Sequence, residues 1–239
     1  MKRTSDRLIE KYNTFTRRST ALDISARKVQ FRSFERILGK WLPHNRYDSF
    51  LDIGCGEGSL LLFLKESGYQ DLSGFDLSEE NVKIAHKLSL DFVSQFNALD
   101  IAYYMEGKLF DFIFLLDIIE HIPKQSVVDF LSIVLTRLKT GGTLIIQTPN
   151  MGSIYGNYLR YNDLTHEFGL TEKSILDLLL VSGLNMDEIE IHPAWNATTF
   201  FGFCREYYLR FLHLLFSLGE DSSRPKIPTK NLLIRILKK

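Results

Sequence analysis

Phe50-Leu51-Asp52-Ile53-Gly54-Cys55-Gly56-Glu57-Gly58 reads as a buried strand that ends in a glycine-rich turn and runs directly into a helix from about Ser59. Glycines at 54 and 56 allow backbone angles closed to other residues and let a ligand approach the main chain. The first turn of the helix offers unpaired N–H groups. Together these features form a cradle for a cofactor.

Outward from this stretch the chain alternates. Apolar strands are expected at about 48–53, 70–75, 92–97, 110–116, 143–148, 187–192 and 230–237. Helices are expected at about 59–67, 78–90, 124–138 and 172–181, with Ser78 as an N-cap and a small helical turn over 100–106. Strands alternating with helices predict an α/β, Rossmann-like, doubly wound sheet with right-handed crossovers. Ahead of it, Ile24, Val29, Phe31, Phe34, Ile37, Leu38 and Trp41 mark an amphipathic helix over about 23–41, ended by Pro43. Residues 1–46 read as a helical cap and 47–239 as the main domain.

Ligands of such sheets bind at the carboxyl ends of the strands. That rule gathers Asp52, Gly54 and Gly56, then Asp76 and Leu77, Asn97 and Ala98, and Leu116 and Asp117 on one rim. A dinucleotide fingerprint needs G-x-G-x-x-G followed about 20 residues later by an acid. Here the third glycine comes one residue early, at 58, but Asp76 supplies the acid. Spacing alone leaves NAD open.

Four segments decide between the cofactors. Leu51 to Gly58 resembles the first motif of class I S-adenosylmethionine-dependent methyltransferases, and Gly74-Phe75-Asp76-Leu77-Ser78 their second. Phe110-Asp111-Phe112-Ile113 through Ile119-Glu120-His121-Ile122 resembles their fourth, and Leu138-Lys139-Thr140-Gly141-Gly142-Thr143-Leu144 the approach to strand five. The resemblance covers about 48–150. It implies a seven-stranded sheet, mostly parallel with the last strand antiparallel, and S-adenosyl-L-methionine as cofactor. It also implies that the turn at Gly54, Cys55 and Gly56 passes under the methionine part, whose amino group suits Asp52. Asp76, beside Leu77, would hold the ribose hydroxyls. Asn97, beside Ala98, stands where the family usually has an aspartate for the adenine amino group, with Asp100 as a rival. Leu116 would lie against the adenine ring.

After strand five, Thr148-Pro149-Asn150 and the loop through Tyr158 to Glu167 are polar and aromatic, as binding loops are. Pro149-Asn150, Asp163, Thr165 and His166 resemble a stretch of methyltransferases found with bacterial surface-polysaccharide and O-antigen assembly. This implies O-methylation of a sugar or glycan precursor, nucleotide- or lipid-linked. The alternatives are a quinone-precursor O-methyltransferase, which shares the Glu-His motif, and a cofactor-binding module without turnover. A hydroxyl acceptor gains from a base. His166 is the first candidate and Glu120-His121 the second, with a purely structural role for His166 as the competing reading. No His/Cys/Asp spacing suggests a metal.

Composition sets the remaining bounds. The chain has 239 residues, is 45% hydrophobic, and carries 29 basic and 29 acidic side chains. Residues 1–46 hold 12 Lys/Arg against 4 Asp/Glu, and residues 204–239 hold 8 against 3, leaving an acidic middle. That layout argues against a nucleic-acid binder, which needs a broad positive surface. Two cysteines, no secretory segment and no long apolar run fit a cytoplasmic protein, with the inner membrane surface as an alternative site. The stretch 199–218 reads as an apolar helical insertion with a narrow polar stripe of Glu206, Arg210, His213 and Ser217. A helix folded onto the body is expected, and a homodimer or membrane-surface contact is the alternative.

Overall fold

The computed structural model describes residues 4–10, 23–218 and 225–239. Residues 1–3 and 11–22 of the expected helical cap, and residues 219–224 of the basic C-terminal stretch, lie outside them. Strands β1 (Ser49–Ile53), β2 (Asp71–Asp76), β3 (Val93–Gln95), β4 (Phe110–Leu116), β5 (Leu138–Pro149), β6 (Ile189–Pro193) and β7 (Asn231–Leu237) form one sheet. Their order is β3-β2-β1-β4-β5-β7-β6. The strands β1 to β5 pair in parallel, and β7 inserts antiparallel between β5 and β6. This is the Rossmann-like methyltransferase sheet that the motifs imply. Chain order reverses between β1 and β4, so a crevice opens at their carboxyl ends.

The side chains of each strand alternate between two cores. Leu51, Ile53, Ile113, Leu115, Leu144 and Ile146 belong to one, with α5 (Val127–Thr136) and α7 (Glu172–Val181) over them. Phe50, Phe112, Phe114 and Ile145 belong to the other, with α2 (Ile24–Leu38), α3 (Ser59–Glu66) and α4 (Glu79–Lys87). In α3 the run Leu60 to Leu64 is buried all round. A helix apolar on every face needs cover on both sides. The sheet covers one, and Phe31 and Phe34 of α2 cover the other, their rings 5.5 and 5.7 Å from that of Phe63. Burying each such side chain contributes about 1.5–3 kcal/mol, so α2 completes this core. Asp23 caps α2 by accepting from Ser25 and Ala26 N–H.

Strand β5 begins at Leu138, five residues before the expected 143, and two further segments differ from expectation. The loop after β5 contains a short helix, α6 (Gly156–Tyr161), which its mixed polar and aromatic sequence concealed. The helix α8 (Phe200–Leu218) does not bury its apolar face. Of the described side chains in its polar stripe, Glu206 alone turns fully inward: it is buried, pairs with both terminal nitrogens of Arg36 at 2.9 and 2.7 Å, and accepts from Ala197 N–H, while Arg210 stays exposed over the Trp195 ring. Phe200, Phe201, Tyr207, Tyr208, Phe211 and Phe216 face solvent. One ion pair to α2 therefore outweighs amphipathicity in setting the helix's rotation. No helix among the described residues is long and apolar enough to cross a membrane.

Candidate active site

The glycine turn ends β1 at the crevice. Gly54 and Gly56 have φ of +70° and +55°, in the left-handed region. A Cβ on Gly54 would lie 2.2 Å from Ile118 Cδ1, whereas a Cβ on Gly56 would meet nothing within 4 Å. The turn is thus pressed against the β4 loop on one side and open on the other. Gly56 N–H donates to Asp76 Oδ2 at 2.9 Å. Asp76 Oδ1 accepts from Ser78 N–H and Asn81 Nδ2 at 2.8 and 3.0 Å. Burial raises the Asp76 carboxyl, and these three bonds oppose the shift. Asp52 lies deeper, 3% exposed, and is pushed up to about 8 by burial and by the Asp76 charge. Burial, with Asp52 and Asp76 nearby, also holds the Cys55 thiol well above its ordinary range. An inert thiol results.

A cleft opens beside the turn. Gly54, Asp76, Leu77, Asn97, Ala98 and His121 line it, so six of the residues read from the sequence converge there. Asp52, Cys55, Gly56, Leu116, Glu120 and His166 are not among its lining residues. Leu116 packs with the second core, and Ile118 takes the cleft position expected of it. Asn97 caps the helical turn that follows β3 by accepting from Leu99 N–H at 3.0 Å. Asp100 is exposed and not part of the wall. Ile9, at the end of α1 (Thr4–Ile9), also reaches the cleft. Nothing in its local sequence signals that. Its helix is tied down by Ser5 Oγ donating to Glu167 Oε1 and by Ser78 Oγ donating to Glu10 O.

At the cleft's edge the chain brings together Glu120, His121 and His166. One carboxylate oxygen and one nitrogen of each ring lie within 4.8 Å of one another. The two imidazoles have centroids 4.9 Å apart. Glu120 sits on the turn Ile119–His121 after β4, accepts from Thr148 Oγ1 at 3.1 Å, and is raised by burial and by Asp117. Burial first, then His166, lowers His121 to about 4. Burial likewise lowers His166. Both rings are therefore neutral near pH 7.

Thr165 joins the pieces. Its Oγ1 lies 2.6 Å from Asp163 Oδ1 and 2.9 Å from His121 Nδ1. An ionised carboxylate only accepts, so the threonine proton goes to Asp163 and its oxygen accepts from His121 Nδ1–H. That leaves a lone pair on His121 Nε2. Asp163 and Thr165 do make the local turn bonds expected of them, with Thr165 N–H also on Asp163. The sequence held no sign of their reach to His121. Asn150, by contrast, is fully buried and anchors the loop to Ile227 and Thr229 carbonyls.

Fold and cleft define an α/β enzyme class that binds a nucleoside-bearing cofactor at the carboxyl edge of β1, β2 and β3. The residues fit S-adenosylmethionine: the open face of Gly56 leaves room for its methionine end, the carboxylate of Asp76 for its ribose, and the Asn97–Leu99 turn for its adenine.

A model of the methyltransferase domain matches residues 21–188. The chain belongs to this family, the class I S-adenosylmethionine-dependent methyltransferases. It resembles a methyltransferase from Archaeoglobus fulgidus at 20% identity, with a TM-score of 0.67 over 95% of this chain and 98% of that one. One from Thermotoga maritima is 18% identical, with a TM-score of 0.64 over 98% and 100%. The plantazolicin methyltransferase BamL, solved with S-adenosylhomocysteine, is 20% identical, with a TM-score of 0.58 over 98% and 97%. No curated protein matches the chain.

Proposed function

We propose that this methyltransferase O-methylates a sugar or glycan precursor, nucleotide- or lipid-linked. One observation carries the reading: His121 belongs both to the cofactor cleft and to the Glu120–His121–His166 cluster. The cofactor supplies an electrophilic methyl group on a cationic sulfonium. The chain's own task is to hold a hydroxyl oxygen in line and to remove its proton. Two neutral imidazoles, one with Nε2 left unprotonated by Thr165, suit that task. Asp163 faces both rings and stabilises the positive charge that appears when either takes the proton.

The sugar is supported by the rim. Tyr155, Tyr158 and Tyr161 are exposed along α6, next to the cluster's loop. Such rings stack on sugar faces, although they also suit a phenolic quinone precursor. The lipid-linked form is supported by α8, which presents aromatic side chains beside Arg205 and Arg210, as a helix lying on an anionic membrane surface does. A cytoplasmic membrane face is the corresponding location.

Transfer of a labelled methyl group to sugar nucleotides and lipid-linked glycans tests the acceptor. His166→Ala tests the cluster: turnover falls at least 100-fold while cofactor affinity stays within about threefold. Unchanged turnover would remove His166 from the chemistry.

A further inference from the structure

Glu120 is 2% exposed, and only half of its carboxylate is satisfied. Oε2 takes the Thr148 hydroxyl, whereas Oε1 is buried without a hydrogen-bond partner among the described residues. A buried carboxylate oxygen left unpaired costs several kcal/mol unless something positive meets it. One oxygen of this carboxylate lies within 4.8 Å of a ring nitrogen of His121 and of His166. His121 donates its Nδ1–H to Thr165, which leaves an unprotonated lone pair on Nε2. Fixing a ring's tautomer through a hydroxyl–carboxylate pair is how histidine ligands are commonly oriented. Further carboxylates face the group: Asp117 and Asp163 act on Glu120, and Asp163 and Glu167 on His121, against Arg160 beside His166.

We infer that Glu120, His121 and His166 bind one divalent transition-metal cation at the edge of the cofactor cleft. Two imidazoles and one carboxylate are a donor set for zinc-like cations, with positions left open for an exogenous oxygen. Metal–ligand bonds of about 2.1 Å in tetrahedral geometry would bring the three atoms to about 3.4 Å apart. From their present spacing of at most 4.8 Å the side chains would close in by up to about 1.4 Å.

The role of the cation rests on the hydroxyl-acceptor reading, but its binding does not. With it bound, the cation replaces the imidazoles as the group that promotes proton loss, and the base role proposed above belongs to the metal-free protein. The acceptor hydroxyl takes an open position, where its acidity rises, and releases its proton to water. Its oxygen lone pair then forms the O–CH3 bond as the C–S bond breaks, and that electron pair leaves on the sulfur of S-adenosylhomocysteine.

Titration of tag-free, chelator-stripped full-length protein with Co2+, followed by visible absorption, tests the site. Wild type should saturate at one equivalent, giving ligand-field bands without a thiolate charge-transfer band. That distinguishes the site from Cys55 and Cys204. His166→Ala and Glu120→Gln should each weaken binding at least tenfold. His166 is half-exposed, so its variant decides the matter if Glu120→Gln does not fold by circular dichroism. Absence of one-equivalent binding, a thiolate band, or binding unchanged in His166→Ala would overturn the inference. No acceptor is present in the titration, so failure here is separate from failure to methylate a glycan.

Discussion

Thr165 Oγ1 lies 2.9 Å from His121 Nδ1, which ties a residue after β5 to the loop after β4 across 44 positions of sequence. Because Thr165 gives its own proton to Asp163, the bond fixes one tautomer of His121. Thr165→Val removes the acceptor and should release the ring, whereas Thr165→Ser should keep it. Nitrogen NMR of the imidazoles should show the Nδ1–H form of His121 in wild type and a mixture in the valine variant. Turnover in the valine variant should drop about 10–100-fold. A wild-type Nε2–H form would show that the relay is drawn in the wrong direction.

Asp76 holds the glycine turn as well as facing the cleft. Asp76→Ala leaves Gly56 N–H, Ser78 N–H and Asn81 Nδ2 without their acceptor. Each buried donor left unpaired costs about 1–3 kcal/mol. Calorimetry should show cofactor affinity reduced more than 100-fold, and thermal unfolding should occur at lower temperature. Affinity within threefold of wild type would remove Asp76 from the site.

The Asp52 carboxyl gives a pH signature. Its folded pKa of about 8 lies above its unfolded value, so its contribution to stability is full at low pH and is lost as pH rises through 8. Asp52→Asn mimics the protonated form. Above pH 8 it should therefore unfold at higher temperature than wild type, by at most about 6 kcal/mol of stability. On the reading that places the cofactor's ammonium at Asp52, binding favours the ionised carboxyl. Wild-type affinity should then increase as pH rises from 7 towards 8 and fall again as the ammonium loses its proton, with proton release on binding at pH 7, measured by calorimetry in two buffers. A pH-independent affinity would count against that pairing.

For α8, sedimentation with vesicles should report the exposed face. Wild type should co-sediment with anionic vesicles and not with neutral ones. Replacing Phe201 and Phe211 by serine should abolish most of that binding, because about 25 cal/mol is lost per Å² of apolar contact. Concentration-dependent dimers that dissociate in the same variant, without vesicle binding, would assign the face to a second copy.

The sheet was readable because its strands carry local signals: apolar runs in β1, β4 and β5, a glycine turn after β1, and Asp76 with the Ser78 cap after β2. The meeting of Gly54, Asp76, Leu77, Asn97 and Ala98 in one cleft was legible too, since all lie at or just past strand ends. The acceptor half was less legible. Glu120, His121 and His166 could be named singly, but their meeting depends on how the loop through α6 folds back over the turn after β4. Thr148 and Thr165 look like ordinary strand and turn residues, and Ile9 enters from a helix with no motif. The rotation of α8 was hidden for a different reason. Arg36 and Glu206 are 170 residues apart, and their ion pair overrides the periodicity that local sequence displays.

The most direct measurement is mass spectrometry of sugar nucleotides and lipid-linked glycans incubated with the protein and S-adenosylmethionine bearing a labelled methyl group. The account predicts a glycan product heavier by one labelled methyl on oxygen. Labelled quinone precursor with unlabelled glycans would contradict it.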